Sequence, residues 1–246
     1  MSGLTLGRRI AAVLIASAVG GAYAVYTGAL HVPEPYNPWA PLDPQAPPDR
    51  WADFKLARAK ADPARCLAAL ARTDMRYEPV PDRTAGEGCG FTNAVRLQSA
   101  AVRFGGPLTL SCPMSLSFHQ WERHGLQPAA AARVGQRVVA IEHVGSYACR
   151  NINRGEGAVP GASRSRHATA DALDLTALVL ADGQRITVQR RWPPSATDGA
   201  QAADHLLLRD AYTAACRYFD GVLGPDYNAA HRDHFHLETG GYGMCR

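Results

Sequence analysis

The sequence predicts an α+β fold: one domain in which N-terminal helices pack on a small, mostly antiparallel sheet, preceded by a transmembrane helix. Three observations support this. Segments with helical character crowd the first half of the chain, and β-branched segments dominate the second. Ala181-Asp182-Gly183-Gln184 sits between two such segments, where Asp-Gly marks an antiparallel turn. Finally, Arg8-Arg9 precedes Ile10 to Leu30, twenty-one residues without a charge.

A bilayer span needs about 20 apolar residues, so residues 1–30 are expected to cross a membrane with the basic end inside. Ala22-Tyr23-Ala24 also resembles a signal-peptide cleavage site. The uncharged stretch runs on past it to Leu30, which favours a single-pass anchor in the cytoplasmic membrane over a cleaved leader. Either way the rest of the chain is expected outside the cytoplasm. Residues 31–50 hold seven prolines and are expected as an extended polyproline linker that keeps the domain, residues 51–246, several nanometres from the membrane.

Within that domain, Trp51 to Ala61 and Pro63 to Asp74 are expected as helices, the second opened by its proline. Pro79 to Gly90 is loop, Asn93 to Phe104 extended, and Cys112 to His124 a buried helix, while Pro128 to Gly135 is short and Ala-rich. Arg137 to Tyr147 is a strand by its β-branched content, and Arg150 to Ser165 a Gly- and Asn-rich loop. Ala172 to Leu180 and Arg185 to Trp192 form the strand pair around the Asp-Gly turn. Ala202 to Val222 is a helix with Leu206, Ala211, Ala214 and Phe219 toward the core, and His234 to Glu238 a last short strand.

The net charge of +4 is mild, and Lys55 and Lys60 are the only lysines. No basic run is interleaved with aromatics, which argues against nucleic acid as a partner; mild positive charge suits an anionic polymer such as a cell wall. All six cysteines follow the apolar segment and none forms Cys-x-x-Cys, so disulfides are expected rather than thiolate metal sites. Six cysteines allow fifteen pairings and the sequence does not fix the connectivity; Cys66–Cys89, Cys216–Cys245 and Cys112–Cys149 are the pairs expected.

Two segments carry the chemistry: Ser165-Arg166-His167-Ala168-Thr169-Ala170-Asp171-Ala172-Leu173-Asp174 and His231-Arg232-Asp233-His234-Phe235-His236. A catalytic zinc takes three protein ligands, commonly imidazole and carboxylate, and keeps a fourth position for water. His167, Asp174 and His236 fill that set for one Zn2+ ion. Each fragment alone has an ordinary explanation: Asp171 and Asp174 as turn and strand-entry acids, His234 and His236 as a pair on one strand face. Their co-occurrence, with apolar residues between the polar ones, favours a metal site. His31, His119, His124, His143 and His205 are expected to be structural.

Ser165-x-His167-x-x-Ala170-x-Ala172-x-Asp174 resembles the Ser-x-His-x-x-Gly-x-Ala-x-Asp motif of D-Ala-D-Ala metallopeptidases, whose superfamily also holds lysostaphin-type endopeptidases and the sonic hedgehog signalling domain. The resemblance implies His236 as third ligand, with Asp233 and His234 at the two positions where the catalytic base is found. It also makes Gly145-Ser146-Tyr147-Ala148-Cys149-Arg150 similar to a segment whose Arg contacts substrate and the developing oxyanion. Cys66 to Arg246 further resembles the bacterial extensin-like C-terminal domain family, through Tyr147-Ala148-Cys149-Arg150, Leu223-Gly224-Pro225-Asp226-Tyr227-Asn228 and Asp233-His234-Phe235-His236. Two departures stand out. Ala170 replaces Gly, which is tolerable if φ is negative there, and no Glu stands at the base position.

These resemblances imply zinc-dependent hydrolysis of peptide bonds in peptidoglycan stem peptides or cross-links, with Asp233 or His234 as base, Arg150 on the oxyanion or a terminal carboxylate, and Ser165 holding substrate or capping its own loop. The alternative is a non-catalytic cell-wall binding or scaffolding domain with a structural zinc. A Ser165-His167-Asp174 hydrolase is disfavoured, because Ser and His two apart in one loop would struggle to meet.

Overall fold

Alternation of apolar and polar residues along Ala172–Leu180 puts Leu173, Leu175 and Ala177 on one face and Asp174 on the other, and this strand is the middle of the molecule. The computed structural model describes residues 2–152, 163–193, 199–241 and 243–246. An apolar helix, α1 (Ser2–Tyr26), comes first; its stretch Leu6–Tyr26 is long and apolar enough to cross a membrane and is not buried by the rest of the protein. Then come α2 (Ala52–Lys60), α3 (Pro63–Leu70), β1 (Arg76–Val80), β2 (Arg83–Thr84), β3 (Gly90–Phe91), β4 (Ala94–Ser99), β5 (Arg103–Ser111), α4 (Cys112–Trp121), α5 (Gln127–Val134) and β6 (Val138–Gly145). The second half holds β7 (Ala172–Leu180), β8 (Arg185–Thr187), α6 (Val188–Arg191), α7 (Gly199–Tyr218), β9 (Gly221–Leu223), β10 (Phe235–Glu238) and β11 (Met244–Cys245).

The sheet runs β1-β4-β5-β6-β7-β10-β9-β11, with β8 paired to β7. It is antiparallel except where β5 meets β6 and β9 meets β11. The mixed α+β class agrees with the sequence, but the order of elements does not. Helices α4 and α5 interrupt the strands, and α7 returns near the end, so the sheet is larger than expected and is not simply preceded by the helices. Helix α4 lies on β4 and β5, and α7 on α4, α5 and β9. Trp121 and Phe118 are fully buried in this layer. A Cβ on Gly125 would come 2.8 Å from the Ala214 Cβ, so glycine is what lets α7 approach.

Several expected bounds move. Residues 79–90 are not all loop, because β1 enters the stretch and β2 and β3 pair within it. Asn93 to Phe104 divides into β4 and the start of β5, and β5 continues to Ser111. The strand expected over Arg185 to Trp192 stops at Thr187, whose side chain caps α6 by accepting from the Arg190 N–H (3.3 Å). The helix expected to reach Val222 ends at Tyr218, and Gly221–Leu223 is strand β9. Its core face is Leu207, Leu208, Ala211 and Ala215; Ala211 and the following Phe219 are buried and Ala214 packs on the core as expected, while Leu206 is 40% exposed and does not.

The Pro-rich segment is not a free spacer. Ala40 and Leu42 are buried, and the segment is strapped to the helices through its carbonyls. Lys55 donates to Glu34 O (2.8 Å), Arg58 to Pro38 O (3.2 Å) and Arg72 to Leu42 O (3.3 Å). The Pro44 carbonyl meets His119 (3.2 Å), Gln120 (3.1 Å) and His124 (3.3 Å). An extended, proline-rich backbone has no internal hydrogen bonds, so its oxygens are free for side-chain donors.

All six cysteines are paired, as Cys66–Cys112, Cys89–Cys149 and Cys216–Cys245. Only the last matches the expected connectivity. The other two follow the fold: α3 packs on α4, and the loop after β6 folds back over the β2–β3 hairpin.

Candidate metal centre

Asp174 and His236 are register partners across the antiparallel β7–β10 pair. Leu173, Leu175, Phe235 and Leu237 fill the core on one face of that pair; Asp174, His234, His236 and Glu238 therefore share the other. His167 arrives on a short 3-10 turn, Arg166–Thr169, capped by Ser165, whose hydroxyl accepts from the His167 N–H (3.4 Å). Ala170 leaves the turn at φ 59°, so the expectation of a negative φ fails. The left-handed conformation that glycine adopts freely is held here by a buried alanine, whose carbonyl accepts from Ser111 N (2.9 Å).

The three expected ligands converge. His167 Nε2 lies 3.1 Å from Asp174 Oδ2 and 3.3 Å from His236 Nδ1, and His236 Nδ1 lies 2.8 Å from Asp174 Oδ1. All three residues are buried. The outward nitrogens are each engaged: His167 Nδ1 donates to the Ser146 carbonyl (2.9 Å), and His236 Nε2 meets Glu238 Oε2 (2.9 Å). An imidazole that gives one N–H to an acceptor turns a lone pair inward from the other, which is how metal-binding histidines are oriented.

The charges of the cluster act on one another. Burial acts to lower His236, but hydrogen bonds and charge from Asp174 and Glu238 outweigh it and push the imidazole up to about 9. Burial would raise the Asp174 carboxyl, yet hydrogen bonds from His167 and His236 hold it far below the usual carboxylate range. Two inward imidazoles and a carboxylate, with the second nitrogens occupied, fit one zinc ion.

The remaining expected residues ring this cluster. His234 Nε2 is 3.6 Å from Asp174 Oδ1, and His234 Nδ1 is 2.9 Å from Asp233 Oδ1. The geometry thus separates the two base candidates: His234 faces the cluster, and the Asp233 carboxylate is engaged behind it. Arg150 Nη2 stands 3.9 Å from Asp174 Oδ2, half-exposed. The Ser165 hydroxyl serves as the cap. Of the loop expected over Arg150 to Ser165, residues 153–162 lie outside the described residues; its ends are tied by Ser165 N to Arg150 O (3.1 Å) and a bridge between Asn151 and Arg164. Asp174 and His236 line a cleft of about 1160 Å3, bordered also by Arg164, Arg166 and Tyr227.

Two participants were not assigned from sequence. Glu238 is two residues beyond His236 on the same strand face, a spacing that could have revealed it. Its side chain lies over Gly221 and Gly241; a Cβ on Gly221 would sit 2.6 Å from Glu238 Cγ. The Ser146 carbonyl left no signal in residue type. His231 packs beside His234 (ring centroids 5.2 Å), its Nδ1 on Asn228 Oδ1 (2.8 Å), and burial with the neighbouring histidines lowers it to about 4. His119, His124 and His205 contact backbone carbonyls elsewhere, as structural histidines do.

A search of curated proteins and of solved structures returned no match. Residues 64–246 match the family described as Extensin-like protein C-terminus, a span that begins inside α3 and takes in the whole sheet and every residue of the cluster. The chain therefore belongs to the extensin-like protein C-terminus family.

Proposed function

We propose that this protein is a zinc-dependent peptidase acting on peptidoglycan stem peptides or cross-links at the outer side of the cytoplasmic membrane, to which α1 anchors it. One observation carries the reading: His167, Asp174 and His236 turn their free donor atoms toward one another while Ser146 and Glu238 occupy the opposite imidazole nitrogens. The sequence likeness to D-Ala-D-Ala metallopeptidases supplies the reaction class, and the apolar helix with a disulfide-bonded domain supports the compartment. His167, Asp174 and His236 would hold the zinc ion, which would supply polarisation of a scissile carbonyl and a more acidic water.

The chain's own side chains do the rest. His234 takes up a proton at Nε2 and returns it to the leaving amine, while Asp233 fixes the ring by accepting from Nδ1. This arrangement dispenses with the missing Glu. Arg150 offers a guanidinium to the oxyanion or to a peptide carboxylate, where its planar fork suits two oxygens. Zinc removal and restoration, followed by assay on isolated peptidoglycan, tests the reading: activity should vanish and return with the metal.

A further inference from the structure

The strap and helices α2 and α3 enclose a second cavity, about 660 Å3, that shares no residue with the histidine cleft. Its wall is mostly apolar, built from Trp39, Leu42 and several alanines, yet it also presents Lys55, Arg58, Arg65 and Arg72 and no acid. Tyr26, the last residue of α1, closes one side, edge-on to Trp39 with ring centroids 6.2 Å apart. Aromatic residues at the end of a spanning helix lie at headgroup level, so the cavity opens at the membrane surface.

Two of the four cations are committed: Lys55 to Asp49 (2.6 Å) and Arg72 to Asp43 (3.1 Å). Arg58 instead meets the Pro38 carbonyl and the Phe54 ring, and among the described residues Arg65 meets only the half-exposed Asp62, at 3.7 Å. Tyr36 and Phe54 stand exposed on the same segments. A soluble anion would not need the apolar wall, and a purely apolar ligand would not need guanidinium groups. An amphiphile with a phosphate uses both.

We propose that this cavity binds the headgroup of an anionic phospholipid from the outer leaflet, seating the domain directly on the membrane. The proposal rests on α1 staying attached, and is independent of zinc or turnover at the cleft. Its test is native mass spectrometry of the full-length chain in neutral detergent, titrated with phosphatidylglycerol, phosphatidylcholine or soluble glycerophosphate. Phosphatidylglycerol should bind about tenfold or more tightly than either of the others, and Arg58→Gln with Arg65→Gln should remove most of that preference, at about fivefold per cation. Hydrogen exchange over residues 36–72 of the lipid-free double variant should match wild type except beside Pro38, because Lys55, Arg72 and Gln120 still hold the strap. Equal binding of phosphatidylcholine, glycerophosphate binding as tight as the lipid, a preference unchanged in a folded double variant, or a mature chain lacking α1 would each overturn it.

Discussion

Asp174 and His236 sit directly opposite each other in the β7–β10 register, with Asp174 Oδ1 2.8 Å from His236 Nδ1. Residues sixty-two positions apart are thus set side by side by backbone pairing, so the sheet itself keeps the carboxylate within reach of the imidazole. His167 comes from a loop and depends on the Ser165 cap, the Ala170 turn and the Ser146 carbonyl for its aim.

Removal of a ligand should differ from removal of the base. His167→Ala should lose zinc and hydrolysis together. His234→Ala should keep zinc near one equivalent and lower hydrolysis by about 10² or more, the usual worth of a positioned acid/base. Asp233→Asn should keep zinc and lose less, since it orients the ring. Metal content by plasma emission alongside peptide release checks all three; full activity in both His234→Ala and Asp233→Asn would mean a different base.

Glu238→Gln tests the support of His236. Loss of a carboxylate behind a ligating imidazole typically weakens metal binding by about 10–100-fold. Gly221→Ala should act in the same direction, because the added methyl would meet Glu238 Cγ at 2.6 Å. Competition against a zinc chelator gives both values, and wild-type affinity in the two variants would leave Glu238 without a role.

The disulfides should resist thiol titration in the folded protein. Replacing Cys89 and Cys149 by serine should cost about 2–5 kcal/mol in denaturant unfolding. It should also lower hydrolysis, because Cys149 adjoins Arg150. Six titratable thiols in a folded chain would refute both the pairing and the compartment.

Acid should destabilise the strap through His119. Burial lowers this imidazole from 6.5 to about 4, so the unfolded state binds its proton first. Stability from this group is complete above about pH 6.5 and is lost as pH falls toward 4, by at most about 3 kcal/mol. Glu122, raised by its own burial, acts the opposite way, so the comparison is with His119→Gln, which retains a donor for Pro44. Its stability should fall less steeply between pH 7 and 4; parallel curves would contradict the assignment.

What the sequence disclosed and what it hid have separate physical causes. Candidate ligands announce themselves by residue type, and the period of a strand puts His234 and His236 on one face, so the cluster of His167, Asp174 and His236 was legible without coordinates. The β7–β8 turn was legible because Asp182-Gly183 has few alternatives. The Cys66–Cys112 and Cys89–Cys149 pairs were hidden, since pairing depends on which loops meet in space. The strap was hidden because proline density speaks for extension and says nothing about Arg72 and the donors of α2 and α4 that meet its carbonyls. Leu206 fell on the wrong face because Leu206-Leu207-Leu208 offers no phase of its own.

The most direct measurement is mass spectrometry of material released when isolated peptidoglycan is incubated with the full-length chain carrying one equivalent of zinc. Zinc-dependent release of amino acids or stem peptides, abolished by chelation and in His167→Ala, is the result expected. If the fully zinc-loaded wild-type chain releases no peptide yet sediments with the wall, the triad holds a structural metal in a binding domain and the peptidase reading is wrong.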